Sequence, residues 1–232
     1  ADAVSKQFGN EDPVFTYRVT PSGIDLTSVN GTLTREAGEN VGSYEITSLL
    51  TSNNFTINYT PAALTITKKP LTVKAIDKEQ VYGEESVAFS YEVLPALTEN
   101  ESLDVFMFKG STSTDPGRYL IHIEGNNSNY AVTWEKGIYT IKKKPLIITA
   151  NPITQVYDAA EKPLTYSLSE NLVGNDVLTG TLAREAGQLP GTYTISSTLS
   201  HPNYDITYKE RVNEQEPFPV CQPNTFGYRG RL

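Results

Sequence analysis

Apolar and polar residues alternate in short runs along most of the chain. The clearest are residues 14–19 (VFTYRV), 43–47 (SYEIT), 87–93 (VAFSYEV), 118–123 (RYLIHI), 164–168 (LTYSL) and 192–196 (TYTIS). A period of two marks a strand with one face inside and the other in water. Residues 32–36 (TLTRE), 104–110 (DVFMFKG) and 181–185 (TLARE) predict one more strand each. Residues 70–74 (PLTVK) and 145–149 (PLIIT) predict another in the second and third parts of the chain, with no counterpart in the first. A long closing strand, broken by a bulge, is expected over 54–69 and 129–144. No run of ten residues carries the helical period, and the polar connections at 20–30, 94–102 and 169–177 have room for one helical turn.

These runs recur. Tyr44, Tyr119 and Tyr193 are spaced by 75 and 74 residues, and Tyr17, Tyr91 and Tyr166 by 74 and 75. The pair Asn54-Phe55 returns as Asn129-Tyr130 and Asn203-Tyr204, and Lys-Lys-Pro ends two copies at Pro70 and Pro145. A fixed period of this length means an array of small units. Six or seven short strands per unit, with turn signals every 8–12 residues, predict an all-β fold: three tandem small Ig-like β-sandwich modules in an elongated array. The alternative is a mostly-β, β-grasp-like module, which needs a helix across its sheet. The expected modules are 1–69 (its first strand missing), 70–144 (divergent) and 145–209, followed by an atypical tail at 210–232. That tail holds three prolines and no alternation, so module three lacks a recognisable last strand, although Val212 has room in a short one. Lysines, the bulge and Pro70 or Pro145 beside the closing strand read as protection of a sheet edge.

Composition narrows the function. Lys and Arg number 19 against 27 acids, a net charge of −8, which argues against nucleic acid and anionic membrane surfaces as partners. Basic runs occur only at module joints, Lys68-Lys69 and Lys142 to Lys144. No apolar run approaches the roughly 20 residues of a membrane helix, so no membrane insertion is expected within these residues. The single cysteine, Cys221, permits no internal disulfide. That is compatible with bacterial surface proteins that manage without bridges. The chain reads as a piece that starts in mid-module, with any anchor outside it.

The recurring frame resembles the bacterial MBG domain of the YGX type, which is related to YDG repeats. The resemblance is carried by Phe8-Gly9, Tyr82-Gly83 and Tyr157-Asp158, by Arg35-Glu36-Ala37-Gly38 and Arg184-Glu185-Ala186-Gly187, and by the recurring tyrosines. It covers residues 1–209, and module two has lost the Arg-Glu-Ala-Gly core. The resemblance implies a stalk or adhesin context in a secreted or cell-surface bacterial protein, and it brings no catalytic residue.

Candidate chemistry is sparse. His122 and His201 fall in different modules without a paired nucleophile or ligand, and no nucleophile elbow, zinc or phosphate-loop motif is present. Glu36 and Glu39 are a carboxylate pair, but a glycosidase needs two carboxyls facing across a cleft. No cofactor is expected, and the chain reads as non-enzymatic. Calcium would need converging oxygens. The candidates are Asp25 with Asn30, Asn100 with Asp104, and Asn175 with Asp176. A Lys–Asn isopeptide bond is a further option that the sequence does not assign to a pair. The recurring Arg-Glu pair reads as holding the Ala-Gly bend that follows it. Phe106, Phe108 and Trp134, read as standing outside the repeat frame, form the candidate ligand surface. Exposed together they favour a glycan or host-matrix partner, and buried they are core. The expected role is a structural spacer among neighbouring repeats, with a binding module or a strand-exchanging filament subunit as the alternatives.

Overall fold

A computed structural model of the chain describes residues 1–98, 101–156 and 160–216. Among these residues the regular structure is strands, apart from one 3-10 turn at Leu26–Ser28. No α-helix occurs among them, so nothing supplies the helix of a β-grasp module. The first repeat holds β1 (Val4–Gln7), β2 (Val29–Asn30), β3 (Leu33–Arg35), β4 (Gly42–Ser48), β5 (Thr51–Ser52) and β6 (Ala62–Thr67). The second holds β7 (Lys69–Ala75), β8 (Lys78–Val81), β9 (Tyr91–Leu94), β10 (Asp104–Lys109), β11 (Gly117–Asn126), β12 (Tyr130–Glu135) and β13 (Gly137–Lys142). The third holds β14 (Lys144–Ala150), β15 (Ile153–Val156), β16 (Tyr166–Leu168), β17 (Leu182–Arg184), β18 (Gly191–Ser197), β19 (Tyr204–Lys209) and β20 (Arg211–Glu216).

The chain clusters into two compact units that do not follow the repeat borders. One is Ala1–Lys78 with Val87–Thr112 and Arg118–Thr140; the other is Glu79–Ser86 with Ser113–Gly117 and Ile141–Leu232. In the first unit one sheet has the order β1-β6-β4-β3, with β1 parallel to β6, and β2 and β5 make a small two-stranded antiparallel ladder. A second sheet has the order β12-β7-β9, and β10, β11 and β13 are successive neighbours in a third. In the second unit the orders are β16-β14-β19 and β15-β20-β18-β17. Cores are thin. Ile46, Leu64 and Ile66 are buried in repeat one, Leu71, Val73, Ile121 and Ile123 in repeat two, and Leu146, Ile148 and Ile195 in repeat three. These positions alternate along their strands, as the period of two requires.

Four expectations are corrected. Residues 14–19 are not a strand, and neither are 53–60. The equivalent segments in repeat two, β9 and β12, both pair with β7, and in repeat three β16 and β19 both pair with β14. Repeat one has no counterpart of β7, so its two would-be flanking strands have nothing to pair with. Two ladder-like bonds remain, Asp2 N to Thr16 O and the Ala1 amino group to Thr60 O, both at 2.9 Å.

The long closing strand is not one bulged strand. β12 lies beside β7, and then the chain crosses at Gly137 so that β13 joins the sheet of β11. Gly137 is buried, and a Cβ there would sit 2.7 Å from the Ala75 carbonyl oxygen, so the crossing needs glycine. Pro70 and Pro145 do not guard edges either. β7 and β14 are the central strands of their sheets, and each proline lies ahead of the point where the antiparallel neighbour begins, at Thr72 and Ile148. Its missing N–H therefore leaves no gap in the ladder.

Finally, module three does have a last strand. β20 runs parallel to β15 and antiparallel to β18. Its sequence, RVNEQE, is too polar to announce a strand, and register with its neighbours makes it one. The tail beyond Glu216, including Cys221, lies outside the described residues.

Candidate functional site

Three places concentrate polar chemistry. The first is the joint between repeats, built twice from the same residues. In the first unit the Phe8 ring meets Tyr130 edge-on at 5.4 Å, and Gly9 lies under Thr98, where a Cβ would come within 2.6 Å of Thr98 Cγ2. The Thr98 amide donates to the Tyr130 hydroxyl at 3.0 Å. Asn129 Nδ2 donates to Asn40 Oδ1 at 3.0 Å, and Asn129 Oδ1 accepts from the Val41 amide at 3.1 Å. In the second unit Tyr82 meets Tyr204 at 5.8 Å, Gly83 lies under Val173, the Val173 amide donates to the Tyr204 hydroxyl at 2.7 Å, and Asn203 Nδ2 donates to Asp115 Oδ1 at 3.1 Å. Here Tyr82 and Tyr204 both donate to Asp176 Oδ2, at 3.0 and 2.9 Å. Burial, and then the Asp176 carboxylate, push both phenols above their ordinary value. The aromatic-Gly turn of one repeat thus clasps the Asn-Tyr of the next.

The second place is a closed charge cluster in repeat one. Lys6 Nζ lies 2.6 Å from Asp12 Oδ1 and 2.7 Å from Glu39 Oε2. Arg35 Nε lies 2.6 Å from Asp12 Oδ2, and its Nη2 bonds Glu39 Oε1. Arg35 Nη1 donates to the carbonyls of Glu36, at 2.9 Å, and Gly38, at 2.5 Å, so it holds the Ala-Gly bend. The guanidinium lies over the Tyr44 ring at 5.4 Å. Burial opposes the Lys6 charge, but the bonds from Asp12 and Glu39 outweigh it and raise the ammonium above its ordinary value. Arg35 holds Asp12 low, and Lys6, then Arg35, hold Glu39 low.

The third place is the same position in repeat three, where the cluster is taken apart. Arg184 still bonds its acid, Glu161, at 2.7 Å and stacks on Tyr193 at 4.6 Å. Gln155 stands where Lys6 stands, and Gln188 where Glu39 stands. The fully buried Leu64, opposite Tyr44 in register, becomes Asn213, opposite Tyr193 and only 3% exposed. Arg184 Nη1 and Asn213 Oδ1 are buried without a hydrogen-bond partner among the described residues. Both line an open cleft of about 400 Å³. In repeat two the position is filled differently again, with Lys109 Nζ 4.9 Å from the Tyr119 ring and 5.6 Å from that of Tyr139.

The sequence-derived candidates are dispersed. Phe106 and Phe108 are exposed neighbours on β10, 5.5 Å apart, and Phe108 stacks on His122 at 4.9 Å. Trp134 is half-buried, beside the buried Val73 in register, and its ring covers Gly125. The structure therefore does not bring the three together. Nor is Trp134 outside the repeat frame: it aligns with Tyr59 and Tyr208, whose hydroxyls donate to the carbonyls of Ile46 at 2.6 Å and Ile195 at 2.5 Å.

His201 Nδ1 accepts from the Asn203 amide at 3.2 Å and lies in the other compact unit from His122. Glu36 Oε2 accepts from the Glu45 amide at 3.1 Å, and Glu39 is in the charge cluster. Asp25 caps the 3-10 turn through Thr27 N at 2.9 Å, and Asn30 Nδ2 donates to the Ser28 carbonyl at 3.4 Å. Asp176 belongs to the joint, and Asn100, Tyr157 and Asp158 lie outside the described residues. Among the described residues no group of three or more His, Cys, Asp or Glu is gathered to hold a metal ion.

A family model described as MBG domain (YGX type) matches three times, over residues 1–65, 71–140 and 146–212. No curated protein matches the chain.

Proposed function

Because the chain belongs to the MBG domain (YGX type) family, three copies in series, we propose that it is a spacer region of a secreted or cell-surface bacterial protein. It performs no catalysis and needs no cofactor; it holds other parts of that protein apart and transmits tension between them. The observation that carries this reading is the joint, made twice from one set of buried aromatic, glycine and asparagine positions. A function confined to one repeat has no use for a clasp that recurs at the next.

The strand pairing supports the mechanical part. β1 runs parallel to β6, β7 to β12, β14 to β19 and β15 to β20, each pairing an early strand of a repeat with a late one. Tension on the start of the early strand and the end of a parallel late strand pulls the two in opposite directions along their length. All ladder bonds are then loaded together in shear rather than opened one by one. Pulling single molecules by their two ends is the test. Discrete unfolding events are expected, each releasing about 20 nm, because a repeat of roughly 70 residues extends by about 3.3–3.6 Å per residue. A chain that lengthens smoothly at low force would refute the spacer reading.

A further inference from the structure

Repeat three carries a binding cleft that repeat one fills with its own side chains. In repeat one, the buried Lys6 ammonium and the Glu39 carboxylate touch at 2.7 Å, seated between Arg35 and Asp12. Repeat three keeps the arginine and its acid, Arg184 and Glu161, at 2.7 Å. It has exchanged the other two charges for the neutral amides Gln155 and Gln188, and a core leucine for Asn213. Either glutamine alone would leave a charge unbalanced. Together they remove one ammonium and one carboxylate and open a cleft.

What remains in the cleft is one buried donor and one buried acceptor without a partner among the described residues: Nη1 of Arg184, whose side chain is 11% exposed, and Oδ1 of Asn213. A buried polar group without a partner costs stability, and an asparagine at a leucine position costs it without structural return. Such breaches of local consistency mark functional sites. The cleft, at about 400 Å³, lies in the size range of small-molecule pockets. The charges that line it are Arg184 and Lys162 against Glu161 and Glu185, a balance of zero. Lys162 Nζ is tied to the Thr154 carbonyl at 2.6 Å, and Glu185 accepts from Thr194 Oγ1 at 3.3 Å, so each is held to a neighbouring residue.

The geometry points to a small zwitterion as the ligand: an α-amino acid, whose carboxylate takes the Arg184 Nη1 donor and whose ammonium donates to Asn213 Oδ1 beside Glu161. The side chain points to the open mouth and is read weakly.

The test is a side-chain amide and guanidinium NMR titration of the full chain with alanine, with acetate alone and methylammonium alone as half-ligands. Saturable shifts of the Arg184 and Asn213 side-chain signals are expected at about 1–10 mM alanine, and each half-ligand should bind about tenfold or more weakly. The double variant Gln155→Lys/Gln188→Glu rebuilds the repeat-one set. It should stay folded and lose the response to alanine, while Asn213→Leu should weaken binding about tenfold. Three results would each overturn the assignment: no saturable shift, which means a cleft holding water only; acetate binding as well as alanine; or an undiminished response in the double variant.

Discussion

At the scale of single residues, the three repeats solve one packing problem three ways. The arginine or lysine at 35, 109 and 184 must cross the face of a tyrosine and find partners for its N–H groups. In repeat one the partners are carboxylates, and the result is a closed ring of two cations and two anions. Replacing Lys6 by glutamine, the residue repeat three uses at 155, leaves Asp12 and Glu39 sharing one cation. It should cost about 2 kcal/mol near neutral pH, since a buried ammonium and its bonds to two partly exposed carboxylates are lost. The acid limb should change with it. Asp12 and Glu39 have folded-state values below their ordinary 3.8 and 4.5. Their contribution is therefore present above those values and lost as pH falls through the lower folded ones. Urea titrations of both proteins on either side of pH 4 should show a steeper loss in the wild type; equal slopes would mean the cluster does not hold its carboxylates low. The recurrence of Arg35 and Arg184 was plain in the sequence, and so was a role for Arg35 in the bend. Their divergent use was not. It depends on positions 6, 12, 39 and 64, which only the register of β1, β4 and β6 brings together.

At the scale of elements, strand pattern proved necessary and not sufficient. Residues 14–19 alternate as well as 87–93 do, yet only the latter contribute to a strand, from Tyr91 onward, because β9 has β7 beside it. Residues 53–60 fail for the same reason. Alternation measures whether a segment suits a half-buried ladder, and the ladder itself needs a partner. β20 is the converse case, a polar segment that two neighbours pull into register. The crossing between sheets at Gly137 was legible only as a break, since a bulge and a handover look alike in sequence. This reasoning has a direct consequence. A copy of residues 68–74 fused ahead of Ala1 should supply the missing central strand to repeat one. Amides in 14–19 and 55–60 should then gain protection from hydrogen exchange, and repeat one should unfold at higher urea. If those amides exchange as fast in the fusion as in the wild type, the missing strand is not what keeps them unpaired.

At the scale of the whole molecule, the stability of a repeat depends on the one before it. Repeat arrays add the intrinsic stability of each unit to a term for each interface. Here that interface term has an address. Tyr130 and Tyr204 are 1% and 3% exposed under the aromatic-Gly turns of the preceding repeats, whereas Phe55, at the same aligned position, is 43% exposed. The motifs themselves stood out in the sequence. That the turn of one repeat and the Asn-Tyr of the next are two halves of one clasp did not, because they lie far apart along the chain and periodicity treats them as parts of a single unit. Alanine at the three positions separates the two views. Emptying a filled aromatic site costs about 3–5 kcal/mol, and trimming a half-exposed ring about 1 kcal/mol or less. Tyr130→Ala and Tyr204→Ala should therefore each cost several times what Phe55→Ala costs, and calorimetry of the first two should resolve separate transitions where the wild type couples neighbours. If instead the three substitutions cost the same, the tyrosines act inside their own repeats. Neighbouring repeats would then be joined by the chain alone, and tension would pass between them without a clasp to share it.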